Sequence, residues 1–408
     1  MQLTMSPARR LAAPFEVSGF RRLWLGAVLT ATAQWMDRVA VGWYIFSVTD
    51  SAFLTSAAVS AQMGPGFFVG PVAGAISERS SRPKILALAI GLRSCTIAAM
   101  ALLVYSGVTR IELVFALLAL GGVGQAMQLS SQQTLSSDLV GADRRARAVS
   151  LLSIGQRVVS AGGAVGSGLI VGAFGPTFAL VIAACATSAA SFSYSTITEP
   201  RVNHASGRGS LYRDTVHGLL TVARMPLAAI LLGMMVIIEV FGFSYMALVP
   251  AIANRVVHVG PAGLGGLNAA TSIGGVLGLL FFATYSERVR LGILFLCVFG
   301  SFGALIVAVG SATWYVVSLA VAAGIGCCAA LIDALEWLLL QQSVSDDLRG
   351  RALGAWNVAI GFGWIVGPLA MGALADEIGV SPAFAIAGSV VLVACAIASV
   401  VSSRLRAA

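Results

Sequence analysis

The chain has 408 residues, of which 58% are hydrophobic and only 10% charged, and its mean hydropathy is +0.91. A soluble protein is about a quarter charged, so a soluble globular fold is excluded and an integral membrane protein is indicated. The formal net charge of +8 would suit nucleic acid only if the basic residues formed one patch; their distribution, given below, removes nucleic acid as an expected partner.

About 20 predominantly apolar residues carry a helix across the hydrocarbon core. That ruler predicts an all-α integral membrane fold of twelve transmembrane helices. The first six spans fall near 22–47, 52–76, 84–106, 112–136, 148–172 and 175–198. The other six fall near 226–252, 261–285, 290–310, 313–342, 351–374 and 381–402. Arg9, Arg10, Arg21 and Arg22 precede an apolar run that reaches Val48, too long for a signal-peptide core, so the first span is expected to stay in the mature protein. The polar stretch Glu199–Arg224 separates two sets of six spans, giving units 1–198 and 226–408 joined by a linker, 199–225. The 46 glycines include Gly162-Gly163 and Gly274-Gly275 inside spans, where they let helix backbones approach.

The basic residues set the orientation. With a cytoplasmic N-terminus, 20 of the 25 Lys and Arg lie on the cytoplasmic side, only Arg110 and Arg255 lie opposite, and Arg38, Arg93 and Arg157 lie within spans. This is a positive-inside distribution with both termini cytoplasmic. Cys95, Cys185, Cys297, Cys327, Cys328 and Cys395 all sit in apolar segments, and His204, His217 and His258 are scattered. Neither set has metal-ligand or redox spacing, so no metal and no cofactor is expected.

The two sets of spans repeat each other. Ser77-Glu78-Arg79 returns as Ser286-Glu287-Arg288, 209 residues on, and Gln132-Gln133-Thr134-Leu135 matches Gln341-Gln342-Ser343-Val344 at the same offset. Arg145-Ala146-Arg147-Ala148 then matches Arg349-Gly350-Arg351-Ala352 with Arg147 and Arg351 204 apart, a register that pairs Gly163 with Gly367 and Gly168 with Gly372. Matches in order at equivalent membrane positions predict two homologous, pseudo-symmetric six-helix halves.

Twelve repeated spans with a charged turn after the second resemble the major facilitator superfamily over essentially the whole chain. The family signature in that turn is Gly-x-Leu-Ala-Asp-Arg-x-Gly-Arg-Lys. Here it reads Gly74, Ile76, Ser77, Glu78, Arg79, Ser81, Arg82, with Glu in place of Asp and Ser in place of the second Gly. Phe20-Arg21-Arg22-Leu23-Trp24 and Trp35-Met36 further resemble a bacterial exporter subfamily that includes enterobactin-type siderophore exporters. The resemblance implies a monomeric transporter in the bacterial cytoplasmic (inner) membrane, with the lipid bilayer, protons and a small-molecule substrate as partners. It also implies a cytoplasmic gate built from Gly74, Glu78, Arg79, Arg82 and Asp138, with Glu287, Arg288 and Asp347 in the second copy. Independently of the family, Glu78 suits a helix N-terminus and Arg79 can pair with Asp138, although the basic residues also serve simple positive-inside anchoring. The antiporter-type pattern is complete only in the eleventh span, at Gly363, Gly367, Pro368 and Gly372. With Gly163 and Gly168 it offers close packing between halves, or ordinary helix packing.

Ionisable groups inside spans are costly and mark function. In the family fold the first, fourth, seventh and tenth spans line the cavity. These carry Asp37 and Arg38, then Gln125, Gln128 and Gln132 on one face, then Glu239, then Asp333 and Glu336. Glu239 lies about 20 Å into its span at helical rise. It is the leading proton-coupling residue, against a structural carboxyl hydrogen-bonded to Ser244. Asp333 and Glu336 form either a proton port or a wet vestibule. Arg93 is read as structural, and Arg157 as a contact for an anionic group. A membrane enzyme would need a catalytic constellation, and a pump a Gly-x-x-x-x-Gly-Lys phosphate loop; the sequence has neither. The expectation is therefore a proton-coupled exporter of a small organic molecule, with an importer or a non-transporting sensor of the same fold as alternatives.

Overall fold

A computed structural model describes residues 13–79, 81–107, 109–140, 145–198, 225–285, 290–345, 348–402 and 405. After a 3₁₀ turn at Ala13–Glu16 come α1 (Ser18–Thr49), α2 (Ala52–Arg79), α3 (Arg82–Tyr105) and α4 (Ile111–Val140). Helical hydrogen bonding then runs over Arg145–Ser195, but the backbone breaks at Gly175 (φ 80, ψ 169) just before Pro176. Its limbs, 145–174 and 176–195, are α5 and α6. Next come α7 (Pro226–Val256), α8 (Pro261–Tyr285), α9 (Leu291–Ser311), α10 (Tyr315–Gln342), α11 (Arg349–Ile378) and α12 (Val380–Val401). Nine helical segments among the described residues are long and apolar enough to cross a membrane, and their outer faces carry exposed Leu88, Phe192, Val316 and Val400, which lipid would cover.

The element ends follow from local chemistry. Pro83, Pro226 and Pro261 stand in first turns, where a missing N–H costs nothing. Asp50 ends α1 in a left-handed conformation, φ 46. Gly379 joins α11 directly to α12 at φ 93, as Gly175 joins α5 to α6. Both positions need a residue without Cβ. They lie 204 residues apart, the register in which Gly163 pairs with Gly367.

Helices α1–α6 pack chiefly on one another, through α1 with α5 and α6, α3 with α6, and α2 with α4. Helices α7–α12 do likewise, through α8 with α10, α9 with α12, and α11 with α7. The two sets meet along two seams, α2 with α11 and α5 with α8. Glycine makes both seams close. A Cβ on Gly168 would lie 2.8 Å from the Gly265 Cα, and one on Gly372 would lie 2.9 Å from the Phe53 Cα. Gly372 and Gly168 thus stand between the sets. Gly163 and Gly367 do not: they face Trp35 of α1 and Ser244 of α7, each within its own set.

Candidate functional site

Among the described residues, charged side chains are buried in two places. In the first, Asp37 of α1 is 4% exposed and Arg93 of α3 is 2% exposed. The Arg93 Nη2 lies 3.7 Å from the Asp37 Oδ2, and the Gln62 Nε2 of α2 donates to the same oxygen at 2.9 Å. With Thr96 and Gly121 these residues line a small cavity. Arg93, read from its depth as structural, is the counter-ion of Asp37. Arg38 turns away and lays its guanidinium over Trp35, 5.1 Å from the ring centroid. Adjacent residues on a helix point about 100° apart, and these two take separate partners accordingly. On α4, Gln125, Gln128 and Gln132 are all buried; Gln128 donates to the Gln132 Oε1 at 3.1 Å, and the Gln125 amide meets the Met63 sulfur of α2 at 3.6 Å.

The second place lies between α7, α10 and α11. Glu239 is 4% exposed and Glu336 1%, and both lie within electrostatic range of Asp333 and of each other. Asp333 is exposed, whereas both carboxyl oxygens of Glu336 are buried and make no hydrogen bond. The i, i+3 pair on α10 therefore offers one accessible and one enclosed carboxyl. A cavity beside Glu239 is lined by Val59, Phe243, Ser244, Gly363, Trp364 and Pro368. The Ser244 hydroxyl donates to the backbone oxygens of Val240 (2.7 Å) and Glu239 (3.2 Å), not to the carboxyl. Trp337 of α10, next in sequence to Glu336, meets Trp356 of α11 with ring centroids 5.4 Å apart.

A third group, at the end where α1 turns into α2, was not singled out from the sequence. Asp376, in the last turn of α11, caps the start of α2. Its Oδ1 accepts from the Ala52 N–H at 2.8 Å, and its Oδ2 accepts from the Phe53 N–H at 2.9 Å and the Ser51 hydroxyl at 2.6 Å. Arg255 of α7 reaches the same place, 3.5 Å from the Asp376 Oδ1 and 3.3 Å from the Asp50 Oδ1, and donates to the Asp50 backbone oxygen. Its guanidinium also covers the Phe46 ring. One step back along the seam, Ser60 donates to the Ile365 oxygen at 2.9 Å. The one available signal was Arg255 itself, a basic residue on the side that holds so few.

At the opposite end Asp138 pairs with Arg82, the first residue of α3. The surroundings of Gly74 and the side chains of Glu78, Arg79 and Arg157 lie outside the described residues, as do Glu287, Arg288 and Asp347. Gly363 faces the root of the Glu239 side chain and Gly367 the Val240 and Glu239 carbonyls, so the first two glycines of the glycine–proline motif serve α7 while Gly372 serves the seam with α2.

Long apolar helices in two sets, meeting at two glycine seams around buried charge, define an integral membrane transporter of the major facilitator type. Over residues 10–408 the chain matches the family described as "Transmembrane secretion effector", and it belongs to that family. Its fold is similar to that of the nucleoside transporter NupG, with TM-score 0.79 at 14% identity over 94% of this chain and 98% of that one. It is also similar to a bacterial homologue of the human lysosomal transporter Spinster in an inward-facing, unoccupied conformation, with TM-score 0.68 at 14% identity over 95% and 96%. No curated protein matches it in sequence.

Proposed function

We propose that this protein is a proton-coupled secondary transporter, exporting a small organic molecule across a bacterial cytoplasmic membrane by alternating access and working as a monomer. In this reading twelve spans form two duplicated halves, 1–198 and 226–408, joined by a cytoplasmic linker, with both termini cytoplasmic. The shared register of Gly175 and Gly379 supports the duplication. Nucleic acid has no part in it.

One observation carries the coupling: Glu336 is enclosed without a hydrogen-bond donor beside Glu239 and Asp333. Burying such a group is costly, and a proton or a cationic ligand removes the cost, which ties occupancy of the site to conformation. The Asp376–Arg255–Asp50 contacts close the end of the molecule at which α1 meets α2. Under the positive-inside orientation that end is extracytoplasmic, the end that alternating access keeps shut while the site is open to the cytoplasm. Efflux is favoured over uptake by the family description, which speaks of secretion; the drug-like or siderophore class rests on the Phe20–Trp24 resemblance.

The test is proton flux in proteoliposomes, read with a pH-sensitive dye across a broad compound panel. A compound-dependent flux is expected, and Glu239→Gln should abolish it while compound binding persists. Silence across the panel, or full flux in the Glu239→Gln variant, sinks the coupling reading. Direction is read separately, from the susceptibility and secreted metabolites of a deletion strain.

A further inference from the structure

Helix α7 is not a regular α-helix. Residues Ile238–Phe243 form a π turn, and Ile252–Val256 form a second. A π turn holds more residues than an α turn, widens the helix and is common at functional positions. The first contains Glu239, and the second contains Arg255.

A widened turn needs room on its neighbour, and α11 supplies it at Glu239. A Cβ on Gly363 would fall on the Glu239 Cβ and 3.2 Å from its Cγ. A Cβ on Gly367 would lie 2.9 Å from the Val240 oxygen and 3.0 Å from the Glu239 oxygen. The carbonyls displaced by the wider turn keep a donor in the Ser244 hydroxyl. On the other side, Gly242 gives way to Phe302 of α9, whose ring meets Phe243 edge-on at 5.5 Å. The repeat register adds an independent contrast. Gly367 has a counterpart in Gly163, but Gly363 corresponds to Val159, so this glycine belongs only to the copy that carries the π turn.

We propose that Gly363, Gly367 and Ser244 are positioning residues that cradle the π turn and thereby set the Glu239 carboxyl against Asp333 and Glu336. Relaxation of the turn to α geometry changes the register by one residue, about 100° of rotation, which carries Glu239 off its two neighbours. Those two carboxyls on α10 are the titratable groups that face it. The cradle deepens the coupling reading above and takes its functional meaning from it.

The experiment measures carbodiimide modification of Glu239 against pH in the full-length protein in liposomes. Dicyclohexylcarbodiimide is the probe and peptide mass spectrometry the readout. In Gly363→Ala the midpoint of Glu239 modification should move by about one pH unit, a tenfold change in protonation ratio at fixed pH. Gly372→Ala, which crowds the same helix against α2, should lower thermal stability and leave that midpoint in place. Ser244→Ala should move the midpoint and Ser244→Thr, which keeps the hydroxyl, should restore it; this pair decides the matter if Gly363→Ala does not fold. A wild-type midpoint in Ser244→Ala, a wild-type midpoint in folded Gly363→Ala, or an equal shift in Gly372→Ala overturns the cradle. Normal proton flux in Glu239→Gln would instead remove the coupling role and leave the cradle standing.

Discussion

The seam between α2 and α11 and the seam between α5 and α8 occupy equivalent places in the repeat but differ in chemistry. Along α5–α8 the Gly168 and Gly265 backbones touch, and one turn further Gly172 faces the Ala262 amide with a bare Cα. Along α2–α11, Gly372 touches Phe53 and Ser56, and one turn further Asp376 caps the first amides of α2. Gly172 and Asp376 are 204 residues apart, the same register again. One seam therefore ends dry and the other ends on a carboxylate. A dry glycine contact has no polar group to satisfy when the seam moves. A capped end exchanges protein donors for water, at a net cost of about 0.5–1.5 kcal/mol per hydrogen bond. Such a seam can open at modest cost, because water replaces the contacts it gives up.

The largest effect is expected where the dry seam is overfilled. Gly168→Val places a branched side chain against the α8 backbone and should cost about 3 kcal/mol, read as a lower melting temperature by fluorescence-detected size exclusion. A wild-type melting temperature would show that this contact is looser than described. Asp376→Ala removes the cap and should cost about 1–2 kcal/mol. It should also raise the reactivity of a cysteine placed at Ser51 toward a membrane-impermeant thiol reagent. Unchanged reactivity would deny the capped seam any role in closing that end. The smallest effect is the converse construction. Gly172→Asp offers the start of α8 the carboxylate that α2 already has, and should stabilise by about 0.3–1 kcal/mol; destabilisation would mean that the two seams are less alike than their register implies.

Helix existence was legible wherever a span is long and apolar, and Glu239 stood out because a carboxyl at its depth is rare. Partners were harder to read. Arg82, the first residue of α3, pairs with Asp138, and no periodic pattern in the sequence announces a partner at a helix start. Gly363 and Gly367 share a face by spacing alone, yet spacing does not say which neighbour that face meets, and it meets α7. The Asp376 cap joins segments 325 residues apart in sequence. It leaves no local trace, since an acidic residue at a helix end looks like any solvated one. The π turn at Glu239 left none either, because one extra residue in a uniformly apolar helix does not disturb its pattern.

The contact of Gly168 with Gly265 has a mechanical consequence. Two helices that meet through backbone atoms alone have almost no lever arm at the crossing, so the contact acts as a fulcrum. It resists sliding, because any translation drives main chain into main chain, but it yields to tilt. From Gly168 to Arg145, where α5 begins, is about 35 Å at helical rise. A tilt too slight to disturb the fulcrum is therefore magnified into displacement of several ångströms at the far end of the helix.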